Sequence, residues 1–433
     1  MRATSDATHS EPVHVPASEL GWVAEHLGLR LTVTEDVLGG RLDGMAGLAL
    51  RRNPRRAHLL VSRLLGKHLP VDPHEALHAG ALLAGRLPAD VLAGEPLVFG
   101  FAETATALGH SVAAAVPGAV SVCSTRRSGV SVLTFEEEHS HATAHRVLAP
   151  LELISTPRAV VLVDDELSTG RTAINTIRAL HAITPRPSYT VAALLDLRPA
   201  SARAAFAALS EELGVPVHAV CLLSGELEVP ADAVHAAAPL VASGDPPIRS
   251  CREYPVERVE ATWPADLPLG GRTGWGPELE ELLSTTLKPL AEAVASDLAT
   301  LARPDASPRV GPRRVLVLGT EELMYVPMRL AAALAERLGS DGEVRTQSTT
   351  RSPVVPIDRD GYAVRCALAF PAPDEPERQS FVYNLSPAGG GGSSYDAIIV
   401  VCDPPACEAD AAMLGALAGC APVVQIQLPE VLW

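Results

Sequence analysis

VVLVDDELSTGRTAINTIRAL, residues 160–180, decides how this chain folds. Four aliphatic residues run into the adjacent acids Asp164 and Asp165, and Gly170 follows five residues later. Beyond it, Ile174, Ile177 and Leu180 recur at spacings of three, which predicts a helix over 171–181. An apolar strand that turns through a Ser/Thr/Gly loop into a helix is the unit of a parallel α/β sheet, and ligands bind at the edge where such strands end. The helix N-terminus there offers unpaired N–H donors and the positive end of its dipole to an anion. Gly170 lets the backbone come close, while Ser168, Thr169 and Thr172 add hydroxyl donors. Loop 167–172 therefore reads as a cradle for a phosphate monoester. Asp164 and Asp165 would repel that phosphate, so they must face hydrogen-bond donors or positive charge. A vicinal diol beside a divalent cation meets both needs, and together these describe a ribose 5-phosphate with a metal-bound leaving group.

The 433 residues suit two to three domains. With 47% hydrophobic and 20% charged residues, the chain has the composition of a soluble globular protein. No apolar run approaches the ~20 residues that span a bilayer, which predicts no membrane segment. The N-terminal stretch lacks a basic region leading into an apolar one and predicts no signal peptide. Seven scattered cysteines without a CxxC pair suggest reduced thiols and a cytoplasmic protein. A net charge of −16 argues against nucleic-acid binding. Against that background, residues 51–68 hold five arginines, one lysine and two histidines. This patch either attracts an anion or is a solvated basic helix face.

Further short strands are expected at 96–99, 159–163 and 192–195, with helices over 104–115 and 278–302 and a flexible loop at Gly389–Gly392. The expected organisation is a disordered or loosely packed tail at 1–28, an α/β domain at 29–223, a Pro/Gly-rich linker at 224–277 and a smaller α/β domain at 278–433.

VVLVDDELSTGRT resembles the phosphoribosyl pyrophosphate (PRPP) signature of type I phosphoribosyltransferases: four apolar residues, two acids, and a loop ending in Thr-Gly-x-Thr. No Gly-Lys-Ser/Thr supports a P-loop, and no GxGxxG supports a dinucleotide fold. The resemblance implies that Asp164 and Asp165 contact the ribose hydroxyls and hold Mg²⁺ indirectly. It implies that Leu167, Ser168, Thr169, Gly170, Arg171 and Thr172 hold the 5-phosphate. LVFGFAETATALGH, 97–110, is a second strand–turn–helix, at the place where this family contacts pyrophosphate. Gly100, Phe101, Ala102, Glu103 and Thr104 take that role by position, unless Thr104 or Thr106 merely caps the helix. Glu103 is an odd neighbour for pyrophosphate unless Mg²⁺ lies between them.

Residues 123–146, CSTRRSGVSVLTFEEEHSHATAHR, occupy the place of the family's mobile two-stranded arm. Arg126 and Arg127 could neutralise phosphate charge there. Glu137, His139 and His141, with His145 nearby, could supply acid/base groups. The alternatives are a solvated polar loop or a transition-metal site, although the histidine spacing matches no standard zinc pattern. The arm and loop sequences, with Thr350-Arg351-Ser352-Pro353, resemble the branch of these proteins found with stress and tellurium-resistance operons. That branch carries a second domain named for this four-residue motif. Arg55, Lys67, His68, Arg351 and Ser352 are candidates for an acceptor pocket, and they suggest an acidic or phosphorylated acceptor.

The C-terminal part echoes the first. LVFGFAET (97–104) aligns with LVLGTEEL (316–323), CSTRRS (123–128) with QSTTRS (347–352), and PRAVVLVDDELSTG (157–170) with YDAIIVVCDPPACE (395–408). This puts Glu103 on Glu322, Arg127 on Arg351, Asp164 on Cys402 and Asp165 on Asp403. ELSTGRT becomes PPACEAD, so the copy lacks a phosphate cradle. It either completes the first domain's acceptor pocket or is a structural partner.

The expected fold is α/β, a type I phosphoribosyltransferase-like parallel sheet flanked by helices, plus a smaller α/β domain. The expected activity is Mg²⁺-dependent transfer of the 5-phosphoribosyl group from PRPP to a ring nitrogen of a small-molecule acceptor, with release of pyrophosphate. The alternative is a non-catalytic sensor of PRPP or nucleotides. Oligomeric state is open, dimers being common in the resembled family.

Overall fold

A computed structural model describes residues 12–39, 41–53, 56–127, 129–136, 144–248, 253–301, 312–385, 395–402 and 410–429. In its N-terminal part lie strands β1 (Val13–Val15), β2 (Arg30–Asp36), β3 (Ala46–Arg51), β4 (His58–Ser62), β5 (Leu97–Gly100), β6 (Val120–Cys123), β7 (Leu133–Glu136), β8 (Ala144–Val147), β9 (Val160–Leu167), β10 (Tyr189–Asp196) and β11 (Val217–Glu228). In its C-terminal part lie β12 (Val256–Glu260), β13 (Arg313–Gly319), β14 (Gly342–Ser348), β15 (Val354–Val355), β16 (Ala367–Ala372), β17 (Glu375–Tyr383), β18 (Ala397–Cys402) and β19 (Val423–Gln427).

The first sheet runs β1-β2-β11-β10-β9-β5-β6, parallel from β11 to β6 with β1 and β2 antiparallel at one edge. Its central strands are aliphatic on both faces because both faces are covered. All of Val160–Val163 is buried, as is every residue of β10. β9 does not end at Val163 as expected. It continues to Leu167, with Asp164 opposite Ala193 and Glu166 opposite Leu195, because β10 runs alongside and keeps offering ladder partners. The helix Arg171–Ile183 follows at once and packs Ala173, Ile174, Ile177 and Leu180 into the core with Phe206 and Leu209.

The second sheet runs β12-β19-β18-β13-β14. Its β19-β18-β13-β14 repeats the order and parallel sense of β10-β9-β5-β6. Each unit also inserts a hairpin between its second and third parallel strands, β7–β8 in one and β16–β17 in the other. Gly100 lies opposite Cys123 and Val163, and Gly319 opposite Ser348 and Val401. That register keeps Asp164 equivalent to Cys402. It moves the Thr-Arg turn by one residue, so Arg351 corresponds to Arg126 and not to Arg127. Matching letters favoured the other choice; ladder register, which fixes the face of every side chain, decides it.

The segment expected to be a loose tail forms regular elements from Val13 onward. β1 pairs with β2, and the short helix Trp22–Leu27 buries Val23, Ala24 and Leu27. The stretch read as a linker holds the end of β11, the helix Ala233–Ala242 and β12, which pairs with β19. The two units interlock. β15 pairs with β3, Val71 bridges to Thr346 beside β13, and Trp275 bridges to Ser121 beside β5. Among the described residues no helix is long and apolar enough to cross a membrane. The glycine run 389–392 lies outside the described residues.

Candidate active site

A cavity of about 540 Å³ opens where β5, β9 and the helix after β9 meet the C-terminal unit. Asp164, Asp165 and all of Leu167–Thr172 line it, as do Phe101–Thr104, Arg126, Lys67 and His68. Arg351 and Ser352 reach it from the C-terminal unit, joined by Arg378 and Glu375 of β17. Gly100 and Arg127 are not among its lining residues. Arg55, Glu137, His139 and His141 lie outside the described residues.

Gly170 turns the chain from strand to helix with φ +68°, in the left-handed region that glycine adopts without strain. A Cβ there would also come within 2.5 Å of the Phe206 ring. That ring is held in place by the Arg198 guanidinium, 4.0 Å above it. Asp164 Oδ1 accepts the backbone N–H of Asp165 at 2.9 Å. Burial and the neighbouring Glu166 charge push the Asp165 carboxyl up from its ordinary value. Glu166 is paired with Arg56 at 2.7 Å, and Arg56 donates to His58 Nε2 at 3.2 Å. Burial and Arg56 hold His58 uncharged, with its pKa down at about 3.

Glu103 does not need a metal to explain its charge. Lys67 Nζ stands 3.0 Å from its carboxylate, Thr350 donates a hydroxyl at 3.0 Å, and Arg351 Nε donates at 3.3 Å. Burial pushes the Glu103 carboxyl up, but Lys67 and Arg351 outweigh it and hold the group at about 2. Arg351 also donates to Glu321 at 2.6 Å, and Arg378 donates to Glu321 at 2.7 Å. Burial and the Glu103 charge push Glu321 up. The result is a chain of alternating charges from Lys67 to Arg378 along one wall of the cavity. His68, beside it, is kept neutral at about 3 by burial and Lys67.

A second buried carboxylate supports the arm. Glu322 accepts from the Thr125 hydroxyl and the Arg126 N–H, each at 2.6 Å, and from Arg272 Nη2 at 2.9 Å. Burial opposes its ionisation, yet Arg272 and these donors hold it below the usual carboxylate range. His145, at the base of the arm, shares a hydrogen bond with Ser124 Oγ at 2.8 Å and stacks on Phe135. Arg272 and Arg378 were not legible as site residues. For Arg272 a signal existed: Gly271 precedes it directly, as Gly66 precedes Lys67.

Among the described residues, no group of three or more His, Cys, Asp or Glu is arranged to hold a metal. The oxygen donors of Asp164 and Asp165 still suit Mg²⁺, which commonly takes one or two carboxylates and completes its shell with water and substrate phosphates.

Two acids near the end of β9, a glycine-turned loop and a wall of alternating charges meet at the edge of a parallel α/β sheet, where ligands bind. Residues 45–226 match the family described as phosphoribosyl transferase, and residues 269–417 match the TRSP domain described as C-terminal to it. The N-terminal unit thus carries the phosphoribosyl transferase match and the C-terminal unit the TRSP match. None of the curated proteins matches the chain. Solved structures similar to it include adenine phosphoribosyltransferase from Giardia lamblia, 17% identical, covering 43% of this chain and 97% of that one with a TM-score of 0.31. The enzyme of the same name from Rhodothermus marinus is 18% identical over 42% of this chain and 95% of that one, with a TM-score of 0.28. That from Leishmania tarentolae is 17% identical over 42% and 85%, with a TM-score of 0.29.

Proposed function

We propose that the protein transfers the 5-phosphoribosyl group of PRPP to a nitrogen nucleophile and releases pyrophosphate. The observation that carries this reading is the meeting of Asp164, Asp165 and loop 167–172 in one cavity with Arg126, Lys67 and Arg351. The loop amides and hydroxyls hold the 5-phosphate. The two acids face the ribose hydroxyls and stabilise positive charge as the bond from C1 to the pyrophosphate oxygen breaks. The nucleophile's nitrogen then bonds to C1, and its proton leaves to a base. Mg²⁺, held indirectly through Asp164 and Asp165, would neutralise charge on the leaving pyrophosphate. Phe101–Thr104 and Arg126 take the pyrophosphate side, where Lys67 adds positive charge that Glu103 aligns. Arg351, Ser352 and Arg378 bring the C-terminal unit into the acceptor side of the cavity.

The setting in tellurium resistance and stress response rests on the motif resemblance, including Thr350–Pro353. Five free cysteines among the described residues suit a cytoplasmic location.

Incubation with Mg²⁺-PRPP and a panel of bases and amines, adenine included, is expected to give one mass-resolved ribonucleotide and stoichiometric pyrophosphate. Tight PRPP binding with no pyrophosphate release in any mixture would instead fit the sensor. In Gly170→Ala, the positive φ and the Phe206 contact both oppose the new methyl group. PRPP affinity by calorimetry is expected to fall at least about tenfold, or ~1.4 kcal/mol. Wild-type affinity in that variant would remove the loop from the phosphate site.

A further inference from the structure

Glu103 and Glu322 stand at equivalent points of the two sheets, each three residues beyond a glycine with matching ladder partners. Each has a cation of its own unit beside it, Lys67 at 3.0 Å and Arg272 at 2.9 Å. Each then crosses to the other unit's Thr-Arg turn. Glu103 takes Thr350 and Arg351; Glu322 takes Thr125 and Arg126. The segments carrying the two cations are exchanged in the same way. Ser348 donates to Gly66 while Thr346 pairs with Val71, and Cys123 donates to Gly271 while Ser121 pairs with Trp275. The counterpart helices Thr106–Ala114 and Tyr325–Leu338 face each other, with His110 stacked on Tyr325 at 4.5 Å. A contact repeated with its partners interchanged is what a twofold axis between two copies produces. Here it occurs inside one chain.

We propose that the C-terminal unit is an internal partner of the transferase unit, and that its Glu322 is a positioning residue which pins the Thr125–Arg126 turn so that Arg126 lines the sugar-phosphate cavity. A charged acceptor holding both a backbone N–H and a hydroxyl at 2.6 Å fixes that turn more firmly than neutral contacts would. Arg146 ties the same turn from the arm, through the Arg126 and Arg127 carbonyls. The C-terminal copy has lost the cradle sequence, PPACEAD standing for ELSTGRT, yet it carries the carboxylate, the cation and the Thr-Arg turn. What it retains is what acts on its neighbour. The ligand's identity rests on the phosphoribosyl-transfer reading above; the clamp does not.

Full-length Glu322→Gln, Thr125→Val and their double variant test this, with Leu298→Ala as a control. Leu298 is buried at the far end of the helix Pro277–Thr300, so its truncation loosens the C-terminal core away from the clamp. Two readouts are taken well below each variant's melting temperature: amide exchange of residues 125–127, and calorimetric binding of magnesium pyrophosphate together with the KM for PRPP. Glu322→Gln and Thr125→Val are each expected to speed exchange at 125–127 and to raise the KM and the pyrophosphate Kd about tenfold. Both should leave kcat within about threefold, and the double variant should be little worse than either single one. Leu298→Ala should melt earlier and change neither readout. The clamp is overturned if exchange at 125–127 is unchanged in Glu322→Gln, or if Leu298→Ala reproduces the binding loss. Wild-type protein that binds neither PRPP nor pyrophosphate would sink the transferase reading, and exchange would still decide the clamp.

Discussion

Asp165→Asn is expected to lower kcat/KM by about 10²–10³ while the protein melts no earlier than wild type. The two halves of that result have one cause. In the folded protein, burial and Glu166 oppose ionisation of the Asp165 carboxyl. A neutral amide of the same shape relieves that opposition, so folding loses little and can gain. The transition state loses the negative charge that faces the developing positive centre, and an amide cannot replace it. Steady-state kinetics beside a thermal melt separates the two effects. Near-full PRPP turnover in a folded Asp165→Asn protein would defeat the assigned role.

Glu103→Ala acts on stability first. Removing one partner of a buried, paired charge typically costs about 3–5 kcal/mol, because the remaining charges stay buried without it. Arg351 keeps Glu321 as a partner, which moderates the loss; Lys67 keeps the Thr104 hydroxyl at 2.8 Å but loses its ion pair. The cost is expected as a lower denaturation midpoint, together with a weaker hold of the C-terminal unit, since Thr350 and Arg351 both lose their contact across the interface. The same carboxylate sets an acid limit. Its folded pKa of about 2 lies below the ordinary 4.5, so its stabilisation is complete above about pH 4.5 and disappears as pH falls through 2. Wild-type protein should therefore lose stability over that window more steeply than Glu103→Gln. Parallel slopes for the two would mean that Glu103 is not the ionised hub of the cluster.

The sequence by itself determined the parallel α/β unit around 160–180. A four-residue aliphatic run, an αL glycine and a helix period are local properties, and local backbone preference together with burial on both faces leaves them one arrangement. It also determined the repeat, whose strand order the second sheet reproduces. It placed Asp164, Asp165 and loop 167–172 on one strand–turn–helix, and these residues line one cavity.

Only the tertiary structure decided what stands opposite them. Glu103 looked misplaced in a pyrophosphate turn because its partners are 36 residues away at Lys67 and about 250 away at Arg351, separations that carry no periodic signal. The equivalence of Arg351 with Arg126 depended on ladder register, which letter matching missed by one residue. Arg272 sat in a Pro/Gly-rich stretch that read as a linker, and the short helix Trp22–Leu27 sat in a segment that read as a tail. In each case the missing information was a long-range contact: electrostatic pairing and edge bridging act through space, and nothing in the spacing of residues along the chain records which distant carboxylate a buried cation will meet.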